Sequence, residues 1–195
     1  MSASAVATAL TPYLGEGDLT CLLCDRGAAR PLELDLRVRF GGPAFVGPAR
    51  TVATPSGSLA PILAALADLP AGSVLVVHAD AFAGAVWGGR LSARAGSRGA
   101  AGVIVVGRVR DVDALASGAL AIAALGTAPH RSEATDAGAT DVPLALGPAA
   151  LQPGDVIVTD PNGAAFVPAT SFADVLAHID AWVAQERAAD QEAQP

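Results

Sequence analysis

The sequence predicts one mixed domain of the α/β or α+β class, and three observations point to it. Short apolar runs of strand length stand both before and after a helical middle. No strand is followed by the glycine-rich loop and helix of a doubly wound nucleotide-binding sheet. Finally, 52% of the 195 residues are hydrophobic, enough for one sizeable core, with no repeat or interdomain linker to divide it.

Each element follows from local pattern. "LELDLRVRF" (32–40) alternates apolar and charged residues as a half-exposed strand does, and "AFVGPARTVAT" continues as a second extended piece. Ser58 is placed to cap an apolar-periodic helix, "LAPILAALADL", that stops at Pro70. "PAGS" then turns into the buried strand "VLVVH" (74–78). "AFAGAVWGGRLSARAGSRG" reads as a loop entering a helix whose basic face carries Arg90, Arg94 and Arg98. A short link, Ser97–Ala101, leads to the apolar strand "GVIVV", which ends near Arg110-Asp111. A short helix from Asp111 to Ala116, the strand "LAIAAL" and a long polar connection follow.

"VPLAL", "QPGDVIVTD" and "GAAFVP" are expected to be β-structure, with tight turns at Pro153-Gly154 and Asn162-Gly163. Asp160 is expected to stabilise the second turn. Ser171 starts an amphipathic helix with Phe172, Val175, Leu176, Ile179 and Val183 on one face, and residues 185–195 are expected to fray.

Composition narrows the function. No apolar run approaches the roughly 18–20 residues that cross a bilayer, and the N-terminus lacks the basic region of a signal peptide. A cytoplasmic protein with no membrane role is therefore expected. A net charge of −7, from 12 basic and 19 acidic residues, makes nucleic acid an unlikely partner. All the basic residues are arginine. Without lysine there is no internal Schiff base, so carbanion chemistry would need another electron sink, most simply a divalent metal.

The two cysteines form "CLLC" at Cys21 and Cys24. A redox pair or half a zinc site has that spacing. The three histidines, His78, His130 and His178, are too scattered to complete a zinc site, and the apolar leucines between the cysteines favour small buried hydrophobes.

The constellation that could carry chemistry joins Gly88-Gly89 to Arg110-Asp111. If the helix after the glycines packs antiparallel to the strand before the arginine, the helix start and strand end meet at one edge. Helix-opening amides make an anion site, a guanidinium grips a carboxylate with two parallel bonds, and an aspartate offers hard oxygen to Mg²⁺ or Mn²⁺. Those parts suit a small 2-oxo acid. The alternative is structural: an Arg-Asp turn pair in which Asp111 caps the helix "VDALAS". His78 and Asp80 are either supporting polar groups or ordinary loop residues, and Trp87 is assigned to packing beside the glycines.

In order, "GPARTV" (47–52), "PAGSVLVV" (70–77), "WGGRLSARAGSRGAAGVIVVGRVRDVDAL" (87–115) and "VPLALGPAALQPGDVIVTDPNGAAFVP" (142–168) resemble the RraA-like family. That family holds the regulators of RNase E activity A and the 4-hydroxy-4-methyl-2-oxoglutarate aldolases. The likeness is clearest over residues 45–170. It implies a swivelling β/β/α domain with a mixed sheet and flanking helices, assembled as a homotrimer or hexamer with sites at subunit boundaries. It also implies that Gly88, Gly89, Arg90 and Leu91 contact the pyruvate moiety, that Arg110 binds substrate, and that Asp111 holds the metal. Glu186 of a neighbouring subunit is a candidate to complete that site. The implied chemistry is aldol cleavage of 4-hydroxy-4-methyl-2-oxoglutarate or decarboxylation of oxaloacetate, both through a pyruvate enolate.

The sequence departs from the family pattern at Ala114, where an acid is common, at Arg90, where an aliphatic residue is usual, and at His78, often an aspartate. The first forty or so residues do not match it well. These departures keep a second reading open, a non-catalytic trimeric regulator with an RNase E-type partner, although the complete Arg-Asp pair favours the enzyme branch.

Overall fold

The computed structural model describes residues 1–193 apart from Gly17, Pro43 and Asp80. Its strands are β1 (Arg30–Pro31), β2 (Val38–Phe40), β3 (Phe45–Ala53), β4 (Val74–His78), β5 (Ala85–Trp87), β6 (Gly102–Val109), β7 (Ile122–Thr127), β8 (Ala139–Thr140), β9 (Leu144–Ala145), β10 (Ala150–Leu151), β11 (Val156–Asp160) and β12 (Gly163–Val167). The helices are α1 (Ala3–Leu10), α2 (Leu19–Asp25), α3 (Ala60–Ala67), α4 (Gly89–Ser97), α5 (Val112–Ala116) and α6 (Phe172–Ala193).

One mixed sheet, in the order β1-β12-β11-β3-β4-β6-β7-β2, organises the chain. Its centre, β3-β4-β6-β7, is parallel, and its flanks are antiparallel. The fold is a mixed α/β one with flanking helices, as the sequence predicts.

The period-2 alternation of the central strands builds two cores at once. Leu75, Val77, Val103 and Val105 face α3, α4 and α5, together with Ile62, Leu66 and Leu115. Val74, Val76, Ile104 and Val106 face the other way, onto Leu32, Leu36, Leu144, Leu151 and Phe166. Both faces of these strands are covered, which explains why they read as continuous apolar runs.

A third core lies where α1, α2 and α6 cover the β11–β12 end. It joins Val6, Leu10 and Leu23 to Val156, Val158 and Val167, with Phe172, Val175, Ile179 and Val183 from α6. Buried Asp160 ties this end together. Its Oδ2 accepts from the Thr20 amide at 2.7 Å and its Oδ1 from the Thr20 hydroxyl at 2.8 Å. The turn bond to the Asn162 amide, at 2.8 Å, is present as well. The side chain therefore fixes the start of α2 in addition to its own turn.

Several expectations change. The 32–40 segment forms a strand only at β2, and Leu32 and Leu36 are drawn into the core. Helix α3 begins at Ala60 with Leu59 as its cap residue; Ser58 nonetheless accepts from the Ala60 amide at 3.2 Å. Of the tail expected to fray over 185–195, residues 185–193 are helical within α6, as a run of mostly Ala, Gln, Glu and Arg allows, and residues 194–195 lie outside the described residues. Cys21 is exposed rather than buried, and only Cys24 packs against the core.

Candidate functional site

Strand β5 is the element that builds the site. β4 pairs with β6 over residues 74–78 and 102–106, and β5 then pairs with β6 farther along, with Trp87 opposite Val109. The Arg110 amide donates to the Trp87 carbonyl at 2.9 Å. Gly88 follows immediately and α4 starts at Gly89. The start of this helix and the end of β6 are thus locked at one edge, the meeting that the antiparallel packing of α4 and β6 requires.

At that edge the Gly89 amide donates to Asp111 Oδ2 at 3.0 Å. Asp111 makes no side-chain cap to α5, although its carbonyl accepts from the Leu115 amide. It adopts a left-handed conformation, φ 58° and ψ 45°. Held non-glycine residues of this kind cost on the order of 1–3 kcal/mol and concentrate at functional sites. The carboxylate that the structural alternative would spend on its own helix is therefore directed across the edge to another.

The glycines are required by close approach. A Cβ on Gly88 would lie 2.5 Å from Asp111 Oδ2, and one on Gly89 3.1 Å from the Ala114 Cβ. Ala114, the position without an acid, thus packs directly on Gly89. The first intrahelical bond of α4 runs from the Ser92 amide to the Gly88 carbonyl. Helix geometry leaves the amides of Arg90 and Leu91 without an intrahelical acceptor. The Gly89 amide, expected to face an anion, is engaged by Asp111. Arg110 lies beside the carboxylate, Nε to Asp111 Oδ1 at 3.8 Å, beyond hydrogen-bond range, with its side chain one-third exposed.

These groups line a cavity of about 310 Å³, in which Gly88, Arg90, Leu91, Arg110 and Asp111 meet Leu59, Leu63, Trp87 and Arg131. Trp87 is buried and fixed by an Nε1–H bond to Ser92 Oγ at 2.8 Å, while Ser92 Oγ–H donates to the Gly88 carbonyl at 3.1 Å. Arg131 and the leucine wall were not foreseen. Arg131 sits in the long polar connection, and a β-bridge to Ala85 brings it to the cavity; neither is visible in local pattern.

Other candidates fall elsewhere. His78 ends β4 and is not among the lining residues; Asp80 lies outside the described residues. Glu186 lies on α6 beside a second, smaller depression of about 90 Å³ with Tyr13, Asp18 and Arg187, away from the first cavity of its own chain. The Cys24 thiol is pushed up by burial and, secondarily, by the neighbouring Cys21, the opposite of what a reactive thiolate needs.

The donor set discriminates between metals. Among the described residues no group of three or more His, Cys, Asp or Glu is assembled to hold an ion, so a zinc site built wholly from side chains does not fit. A single cavity carboxylate fits Mg²⁺ or Mn²⁺, which bind through one or two carboxylates and keep several waters. Asp111 has that capacity, since one oxygen takes the Gly89 amide and the other makes only the long contact to Arg110.

The central strand β6 of a mixed-sheet domain thus delivers an Arg-Asp pair to the start of a glycine-opened helix at one cavity. Residues 20–166 match the RraA-like family, described as Aldolase/RraA, and the chain belongs to that family. It is 37% identical over 144 residues, 72% of this chain and 86% of the relative, to the "Putative 4-hydroxy-4-methyl-2-oxoglutarate aldolase" of Xanthomonas campestris pv. campestris. Among solved structures it is similar to the RNA-processing inhibitor RraA from Thermus thermophilis (TM-score 0.68, 31% identity, 76% of this chain and 91% of that one). It is also similar to a Geobacillus kaustophilus protein titled S-adenosylmethionine: 2-dimethylmenaquinone methyltransferase (TM-score 0.70, 33% identity, 76% and 93%). No helix of the described residues is long and apolar enough to cross a membrane.

Proposed function

We propose that the protein is a divalent-metal-dependent carbon–carbon lyase acting on small 2-oxo acids, of the 4-hydroxy-4-methyl-2-oxoglutarate aldolase or oxaloacetate decarboxylase type. The observation that carries this reading is the Gly89 amide bonded to Asp111 Oδ2 beside Arg110 in a cavity. The aldolase name attached to relatives supports the reaction class, and the absence of lysine removes the Schiff-base route.

Arg110 would grip the substrate carboxylate through its guanidinium fork. The amides of Arg90 and Leu91, at the positive end of α4, would meet negative charge as it develops on the 2-oxo group. Asp111, oriented by the Gly89 amide, would hold Mg²⁺ or Mn²⁺. When bound, that cation supplies Lewis-acid stabilisation at the 2-oxo acid. Leu59, Leu63 and Leu91 form an apolar wall that reduces water around the reacting carbons.

The proposal includes a homotrimer or hexamer of a cytoplasmic protein. Leu63 at the cavity and Val112 next to Asp111 are exposed large apolar side chains, the kind of surface a neighbouring copy covers. Glu186 from that copy is the candidate to approach the site. Incubation with Mg²⁺ and oxaloacetate, coupled to pyruvate detection, tests the reaction. Turnover that survives EDTA or Asp111→Ala would overturn it.

The likeness to an RNA-processing inhibitor, with Ala114 where an acid is common, supports a second reading as a non-catalytic regulator. Capture of RNase E or a DEAD-box helicase that persists in Arg110→Ala, together with no turnover, would favour it.

A further inference from the structure

The charge of the cavity exceeds what a 2-oxo acid with one further carboxylate needs. Its charged lining residues are Arg90, Arg110, Arg131 and Asp111. Three guanidiniums against one carboxylate leave an excess of two positive charges, to which the proposed divalent cation would add two more, in a chain whose net charge is −7. Outside the cavity Arg37 pairs with Asp35, Arg50 with Asp68 and Asp141, Arg39 with the Asp160 carbonyl and Arg108 with the Ala83 carbonyl, while exposed Arg26, Arg94 and Arg98 make no such side-chain bond with the described residues and do not line the cavity. Arg90 and Arg131 make no side-chain hydrogen bond or ion pair with the described residues.

The position of Arg131 is nonetheless fixed. The Ala85 amide donates to the His130 carbonyl at 2.8 Å, and Ala85 bridges Arg131. On the other side the Ser132 hydroxyl donates to the Ser56 carbonyl at 3.0 Å. The backbone that carries an unpaired guanidinium is thus held against the strand that lines the cavity.

We infer that the substrate carries, distal to its 2-oxo acid end, a doubly charged phosphoryl group held between Arg90 and Arg131. This rests on the reading of the cavity as a 2-oxo acid site, with Arg110 spent on the first carboxylate. A second carboxylate brings one charge and is satisfied by one guanidinium fork. A phosphoryl group brings about −1.5 to −2 and three acceptor oxygens, which match two forks. Leu59, Leu63 and Leu91 offer the carbon skeleton an apolar wall between the two ends.

Calorimetric titration of the full chain in Mg²⁺ with oxalate, 2-oxoglutarate and 3-phosphonopyruvate tests the inference. The phosphonate is expected to bind about tenfold or more tightly than 2-oxoglutarate. That preference should fall to within about threefold in Arg131→Met and in Arg90→Met, which keep an apolar stem and replace exposed side chains. Equal binding of the two acids, or a preference that survives both substitutions, overturns the inference while oxalate binding leaves the 2-oxo acid site standing. Failure of oxalate itself to bind overturns both.

Discussion

The amide of Gly89 and the carboxylate of Asp111 meet at 3.0 Å across 22 positions of sequence. That bond decides what Asp111 does. A side chain well placed to cap its own helix leaves α5 uncapped and is turned by a left-handed backbone toward α4. Because the Gly89 amide occupies Oδ2, Oδ1 is the oxygen left beside Arg110.

Asp111→Asn separates charge from shape. Asparagine tolerates the left-handed region and keeps an acceptor for the Gly89 amide, so thermal unfolding should stay within a few degrees of the native value. Mg²⁺-dependent release of pyruvate from oxaloacetate should fall roughly 10²–10³-fold. A comparable fall in melting temperature would assign Asp111 to structure.

Gly88→Ala probes the close approach. Gly88 is extended, φ −170° and ψ −171°, so alanine brings no backbone strain there. Its Cβ would lie 2.5 Å from Asp111 Oδ2 and 3.2 Å from Arg110 Cγ, and the pair must shift. Turnover should fall by about 10²-fold with an unfolding curve close to native. Full activity would show that the Asp111 position does not matter.

Asp160→Ala should act on the fold and leave the cavity chemistry alone. It removes the acceptor for the Thr20 amide, the Thr20 hydroxyl and the Asn162 amide, leaving donors unpaired at the buried start of α2. Urea unfolding should show a loss of roughly 2–4 kcal/mol. Oxaloacetate turnover at a temperature where the variant is folded should remain near native.

The two cysteines should label in order. Cys21 is exposed, whereas burial raises the Cys24 thiol above its ordinary value of 9.0. A raised pKa means less thiolate at neutral pH, and the thiolate is what alkylates. Iodoacetamide at about pH 7.5 should modify Cys21 first, with Cys24 following only as pH rises above 9 or on unfolding. Peptide mass mapping reads the order, and faster labelling of Cys24 would contradict the assignment.

Much of the fold is written in period and punctuation. The runs 74–78 and 102–106 carry no polar residue before His78 because both faces of β4 and β6 are covered, and the apolar face that the spacing of α6 predicts enters the core shared with α1, α2, β11 and β12. The approach of Gly88-Gly89 to Arg110-Asp111 was legible because the short link between α4 and β6 suggests antiparallel packing, while the β5–β6 pairing that locks it was not. Three further features were not. α1 lies in an alanine-rich segment, and α2, which contains "CLLC", follows no pattern read for a helix. The left-handed backbone of Asp111 depends on the β6 end and α4 being in place together. Arg131 reaches the cavity through a single long-range bridge, which leaves no trace in residue type or spacing.

One organic acid held between α4 and the end of β6 is what the proposed chemistry requires. A crystal grown with Mg²⁺ and oxalate tests it most directly. The predicted result is oxalate in contact with Arg110 and the amides of Arg90 and Leu91, with a cation between it and the Asp111 carboxylate. Oxalate seated away from these residues, or a cation bound without Asp111, would contradict it.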